Sequence, residues 1–287
     1  CNMDMLICIR ILLLGLLSTL HPVSSVDCRT DRCHTHDGVT DCSSQKLSCI
    51  PCNIATATVL KMAHNVIRGL NQGDFHCFKN LKSIDLSHNQ ITNITDMTFM
   101  NMTEQSKTSL RYLNLQHNKL GLGLSVIQGK PFEGLSNLET LDLSFNQICT
   151  IANIFDGLSN LITLNLGNNE ITELPHDMFK GLSNLQTLEL QHNKIQTLGA
   201  NAFGNTSHLK RLRIDHNDLT ALHMQPFNNL KKLQHLDLGY NNLKTIGNNS
   251  FSTCSKLEYL KLNDNMLTSI TKDLFGDHTL FKELQSF

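Results

Sequence analysis

The stretch Leu185-Gln186-Thr187-Leu188-Glu189-Leu190-Gln191-His192-Asn193-Lys194-Ile195 decides the fold. Leu188-x-Leu190 alternates with period 2, so it reads as a short strand with both Leu on one face. Asn193 follows where the chain must turn. An amide both donates and accepts, so it can satisfy backbone groups inside such a turn. The same frame, Leu-x-x-Leu-x-Leu-x-x-Asn-x-Leu, recurs from Ala57 onward. Clear copies are Leu161-Leu164-Leu166-Asn169-Ile171, Leu233-Leu236-Leu238-Asn241-Leu243 and Leu257-Leu260-Leu262-Asn265-Leu267. Nine Asn hold one place: Asn65, Asn89, Asn118, Asn146, Asn169, Asn193, Asn217, Asn241 and Asn265. Repeats start at 57, 81, 110, 138, 161, 185, 209, 233 and 257. Most are 24 residues apart, with intervals of 29 and 28 after 81 and 110.

Repetition of this kind predicts an α/β solenoid, a leucine-rich repeat horseshoe with a parallel β-sheet lining its concave face. Each strand pairs with the next repeat's strand about 4.8 Å away. The Leu point into the core. Ten residues after the Asn stands a Phe, at Phe75, Phe99, Phe179, Phe203, Phe227, Phe251 and Phe275. These predict an aromatic spine filling the wider convex side.

Composition agrees. Of 287 residues, 48 are Leu and 30 are Asn, so the repeat dominates the chain. Lys and Arg number 24 against 25 Asp and Glu, without the basic surplus that nucleic-acid binding wants. A mean hydropathy of -0.17 excludes a multi-span membrane protein. Residues 1–25 read as a secretory signal peptide, with Arg10, the apolar run Ile11 to Leu20, and small or apolar Val23 and Ser25. That run is short of the roughly 20 residues of a spanning helix. Ten Cys point to an oxidising compartment.

Cys28, Cys33, Cys42, Cys49 and Cys52 lie before the first repeat, so residues 26–56 read as an N-terminal disulfide cap. Pairing is open, and five cysteines leave one over, for which Cys77 is a possible partner. Cys49-x-x-Cys52 lacks the second ligand pair of a zinc site, and no metal or cofactor is expected. Cys149 and Cys254 are expected as buried thiols. Residues 57–283 form nine repeats, and 284–287, with Leu284 and Phe287, start a truncated tenth. The sequence is therefore expected to be part of a longer protein.

All three tyrosines, Tyr112, Tyr240 and Tyr259, fall at outward positions of the strand segment, joined by Phe145. Tyr brings contact area, a polar tip and little rotamer entropy to a binding surface. The expected ligand-binding patch is Arg211, Arg213, His235, Tyr240 and Tyr259, with Tyr112 and Phe145 on the same face. His64, His88, His117, His192 and His216 recur just before the Asn. They read either as imidazoles that charge at endosomal pH and attract an anionic ligand or as exposed repeat filler. Asn93, Asn101, Asn205 and Asn248 head Asn-x-Ser/Thr sequons, none at a concave strand position, so glycans there would leave the sheet face free. The insertions Met97 to Thr108 and Gly121 to Lys130 read as contact loops or as tolerated drift. No GxSxG, HExxH or GxxxxGK[ST] occurs, so an enzyme is not expected.

The consensus, with Asp41-Cys42-Ser43 and Ile50-Pro51 in the cap, resembles the extracellular leucine-rich repeat families. The uneven repeat lengths, the Asn ladder and Leu113-Asn114-Leu115-Gln116-His117-Asn118 look most like a Toll-like receptor ectodomain, over residues 28–287. That resemblance implies a single-pass innate-immune receptor that binds a microbial or protein ligand, dimerises and signals through a cytoplasmic TIR domain. It would act at the plasma membrane or in the endosomal lumen. This sequence departs from the pattern by carrying no transmembrane helix, TIR domain or C-terminal cap, so membrane attachment would need a segment outside it. The frame also resembles secreted matrix or adhesion proteins of the small proteoglycan or Slit-like kind, and the variable lymphocyte receptors of jawless fish.

Overall fold

The computed structural model describes residue 28 and residues 31–276, apart from 53, 97, 122–128, 151–153, 177, 200, 223, 224 and 271. The expected signal peptide, the expected start of a tenth repeat and most of the second insertion lie outside the described residues.

Each repeat contributes one three-residue strand, from Val59–Lys61 in the first to Tyr259–Lys261 in the ninth. The central residue is buried and its neighbours project from the concave face, which is the period-2 alternation of the sequence. The strands run parallel and in register, so equivalent positions line up, as in Thr187, Arg211, His235 and Tyr259. The sheet has 11 strands, because a cap hairpin, His34–His36 with Val39–Asp41, joins its N-terminal edge. Among the described residues helix is confined to Glu104–Ser109 and a 3-10 turn at Lys272–Phe275. Past the ladder Asn, two short parallel pairs join Glu173–Leu174 to Thr197–Leu198 and Ala221–Leu222 to Thr245–Ile246, and the rest of the described convex side is built of turns.

Phe132 and Phe155 join the seven Phe read from sequence, and the rings run from Phe75 to Phe132 and from Phe155 to Phe275 with neighbouring centroids 5.3–6.3 Å apart. Rings on the opposite side, beside the ladder Asn, stack at 4.1–4.3 Å. A stack wider on one side than the other must curve, with its strands on the inner side.

The Asn ladder bridges repeats. Asn193 Nδ2 donates to the carbonyls of Leu190 and Leu166, both at 3.0 Å. Its Oδ1 accepts from Ile171 N at 3.0 Å. Leu166 O also accepts from Asn169, and Leu190 O from Asn217, so each such carbonyl serves two rungs. The first rung is closed by the cap, where Asn65 Oδ1 accepts from Gln45 N and Leu47 N.

Disulfides join Cys28 to Cys49, Cys33 to Cys42 and Cys52 to Cys77. The last ties the cap to the first repeat. Cys254 is fully buried, and burial pushes its thiol up to about 12. Cys149 is half-buried rather than buried. The first insertion packs as the helix Glu104–Ser109, capped by Thr103, with buried Ser106 donating to Phe78 O at 2.9 Å.

Candidate functional site

The structure divides the expected patch in two. Arg211, His235 and Tyr259 occupy equivalent positions on three adjacent strands and form one row on the concave face. The rings of His235 and Tyr259 lie 5.8 Å apart. Arg213, Asp237 and Lys261 form the next row. Tyr112 lies on the same face but six repeats before Tyr259, where burial and the carboxylates of Asp85 and Asp142 raise its phenol.

Tyr240 and Phe145 do not sit on the strand face. They stand in the column just before the ladder Asn, with φ of 51° and 53°. All nine residues of that column are left-handed, from His117 and Tyr240 at 51° to His64 and Asn168 at 56°. The conformation turns the chain off the strand and so removes these side chains from the sheet face. His, Asn and Asp tolerate it best among residues with a side chain, which explains why His recurs here and why Asn168 and Asp264 complete the set. The column forms two ring stacks, His64-His88-His117-Phe145 and His192-His216-Tyr240. Burial and the neighbouring imidazoles hold His88 and His192 below the ordinary imidazole range. Phe145 and Tyr240, 43% and 51% exposed, adopt a conformation that bulky residues rarely take and recover little burial for it.

The charges around the strand cluster are paired. Arg213 holds Asp215 through two contacts, at 3.0 and 2.9 Å, and lies 3.5 Å from Glu189. Arg211 meets Glu189 at 3.3 Å, and Lys261 meets Asp237 at 3.2 Å. Burial pushes the Asp215 carboxyl up, but hydrogen bonds from Arg213 and His216 outweigh it and hold the group below the usual carboxylate range. Glu189, Asp215 and Asp237 therefore balance Arg211, Arg213 and Lys261, three against three. Such a surface carries no excess of positive charge for a polyanion. Glu189 and Asp237 were missed from sequence because they act across strands, although their place in the Leu-x-Leu frame could have exposed them; Asp215 pairs within its own repeat.

Two groups of metal-type ligands come together among the described residues: Cys52, His76 and Cys77, and His192, Asp215 and His216. A disulfide occupies both thiols of the first. In the second, the two imidazoles stack at 4.1 Å, and Arg213 and His216 already hold the carboxylate.

The sequons at Asn93, Asn101, Asn205 and Asn248 all head exposed sites off the concave strands. No helix among the described residues is long and apolar enough to cross a membrane. The disulfides place the chain in the secretory pathway or outside the cell.

Comparison with known proteins agrees with the fold. The "BspA type Leucine rich repeat region" family matches in six copies over residues 103–222 and 172–285. A second "Leucine rich repeat" family matches residues 56–120. Mouse "Leucine-rich repeats and immunoglobulin-like domains protein 2" is 35% identical over 80 residues, 28% of this chain and 7% of that protein. Human lumican is 36% identical over 73 residues, 25% of this chain and 19% of its own. The chain thus spans only a small part of either relative. Among solved structures, a leucine-rich repeat protein of Leptospira interrogans aligns with TM-score 0.69 and 27% identity, covering 86% of this chain and 59% of its own. Toll of Drosophila, in its complex with Spätzle, aligns with TM-score 0.69 and 23% identity, covering 77% of this chain and 29% of Toll's. The likeness to Toll is one of fold.

Proposed function

The chain belongs to the leucine-rich repeat family, and from that premise we propose that it is the ligand-binding part of a Toll-like receptor ectodomain. Its concave row Arg211, His235 and Tyr259 contacts a protein ligand of microbial or host origin. The observation that carries the reading is this row, which presents a cation, an imidazole and a phenol side by side on three strands. Rigid aromatic and Arg anchors of this kind supply most of the energy of protein interfaces. The balanced charge of the surrounding ion pairs favours a protein over a polyanion. Support for the receptor comes from the fold shared with Toll, itself seen in complex with Spätzle, and from the uneven repeats. Receptor dimerisation and an endosomal or plasma-membrane site belong to the same proposal. The segment shared with lumican supports a second reading, a secreted matrix or adhesion protein.

The test uses the full-length protein in reporter cells challenged with microbial fractions and host-secreted proteins. Arg211→Ala with His235→Ala and Tyr259→Ala lowers the response at least tenfold at unchanged surface expression. Lys180→Ala, on the convex side, leaves it unchanged. A triple variant that responds like the wild type would refute the assigned surface.

A further inference from the structure

A second, exposed amide ladder runs along the opposite edge of the sheet. Gly-Leu-Ser-Asn-Leu occurs three times, at residues 134–138, 157–161 and 181–185. The Asn of each copy stands just before the Leu that enters the strand segment. Asn137 Nδ2 donates to Thr108 O at 2.8 Å. Asn160 Nδ2 donates to Ser136 O and to Asn137 Oδ1, both at 3.0 Å. Asn184 Nδ2 donates to Ser159 O at 2.9 Å. Asn160 and Asn184 are exposed and Asn137 half-buried, so these amides keep donors and acceptors facing solvent.

They line a groove of about 370 Å³. Its other wall is Arg111, Glu139, Ile162 and Gln186, the second residue of four successive repeats. Ile162 N donates to Glu139 O at 2.8 Å and Gln186 N to Ile162 O at 2.9 Å, so these side chains follow one another at the strand spacing of about 4.8 Å. Arg111 and Glu139 neutralise each other at 3.2 Å. Ile162, 36% exposed, is the one apolar side chain among the seven residues that line the groove.

We propose that this groove binds an uncharged, extended oligosaccharide, one sugar per repeat. A sugar hydroxyl both donates and accepts, and so does a carboxamide. The carbon-hydrogen face of a pyranose ring packs on an apolar side chain, which Ile162 supplies. The paired charge leaves nothing to hold a phosphate or carboxylate. An extended peptide would need a free strand edge, whereas these strands pair on both sides. No sequon occurs between Asn101 and Asn205, so the groove lies in a stretch free of the chain's own candidate glycans. The site spans the third to sixth repeats and is independent of the Tyr259 row.

The secreted chain is titrated by calorimetry and saturation-transfer NMR with linear uncharged oligosaccharides of glucose, mannose and N-acetylglucosamine, from two to six sugars. Affinity rises with length up to four sugars, the span from Arg111 to Gln186, and then levels off. Ile162→Asp with Gln186→Ala lowers it at least tenfold at unchanged melting temperature, because both side chains are peripheral to the core. His235→Ala with Tyr259→Ala leaves it unchanged, which separates this site from the proposed protein surface. Absence of binding at millimolar sugar, equal binding by the groove variant, or binding to sulfated heparin fragments alone overturns the proposal.

Discussion

Replacing Asn193 with Ala tests the ladder at its centre. The side chain is 8% exposed and makes three hydrogen bonds at 3.0 Å. Their loss is unequal. Leu166 O and Leu190 O each keep a second ladder amide, from Asn169 and Asn217. Ile171 N keeps no partner. An orphaned buried donor costs about 1–3 kcal/mol and each lost bond to a still-satisfied carbonyl about 0.5–1 kcal/mol. The sum is about 3 kcal/mol, a large share of the 5–15 kcal/mol that holds an ordinary domain together. For a chain this size it lowers the melting temperature by about 6–12 °C. Urea unfolding followed by circular dichroism reads the cost, and hydrogen exchange reads the site, where the Ile171 amide loses protection first. Asn184→Ala, in the exposed ladder, costs under about 0.5 kcal/mol. A cost for Asn193→Ala below about 1 kcal/mol, or equal to that of Asn184→Ala, would refute the reasoning.

Three further outcomes follow from the same geometry. Arg213→Ala strips the two contacts from the Asp215 carboxylate, whose side chain is 5% exposed, and costs about 2 kcal/mol in urea unfolding; adding Asp215→Asn recovers part of it. His88 and His192 titrate below their unfolded value, so the unfolded chain takes up protons first and stability falls as pH drops through about 6.5. His88→Gln with His192→Gln flattens the melting temperature between pH 7 and 5, where the wild type declines. Tyr240→Asn relieves a bulky side chain at φ 51° and raises stability by about 1 kcal/mol, read as a higher melting temperature.

What the sequence revealed was whatever repeats with one frame. The core Leu, the nine Asn and seven Phe each recur at fixed spacing, so their places could be counted. Phe132 and Phe155 escaped because the count ran forward from the Asn, across segments of altered length. Counting back six residues from Leu138 and Leu161 finds both, as it finds Phe179 from Leu185. The helix Glu104–Ser109 escaped because an insertion has no frame. Tyr240 and Phe145 were placed on the strand face because the frame does not show that its last variable position is left-handed. The ion pairs of Glu189 and Asp237 depend on register between repeats, whereas Asp215 pairs within its own repeat, with Arg213 and His216. The amide groove was legible in three copies of Gly-Leu-Ser-Asn-Leu, but its meaning needed the stack that aligns them.

The receptor reading is tested most directly by the transcript beyond the codon for Phe287. The account predicts further repeats and a cysteine cap, then an apolar span of roughly 20 residues and a TIR domain. A stop codon directly after a capping module would contradict it and leave the matrix reading.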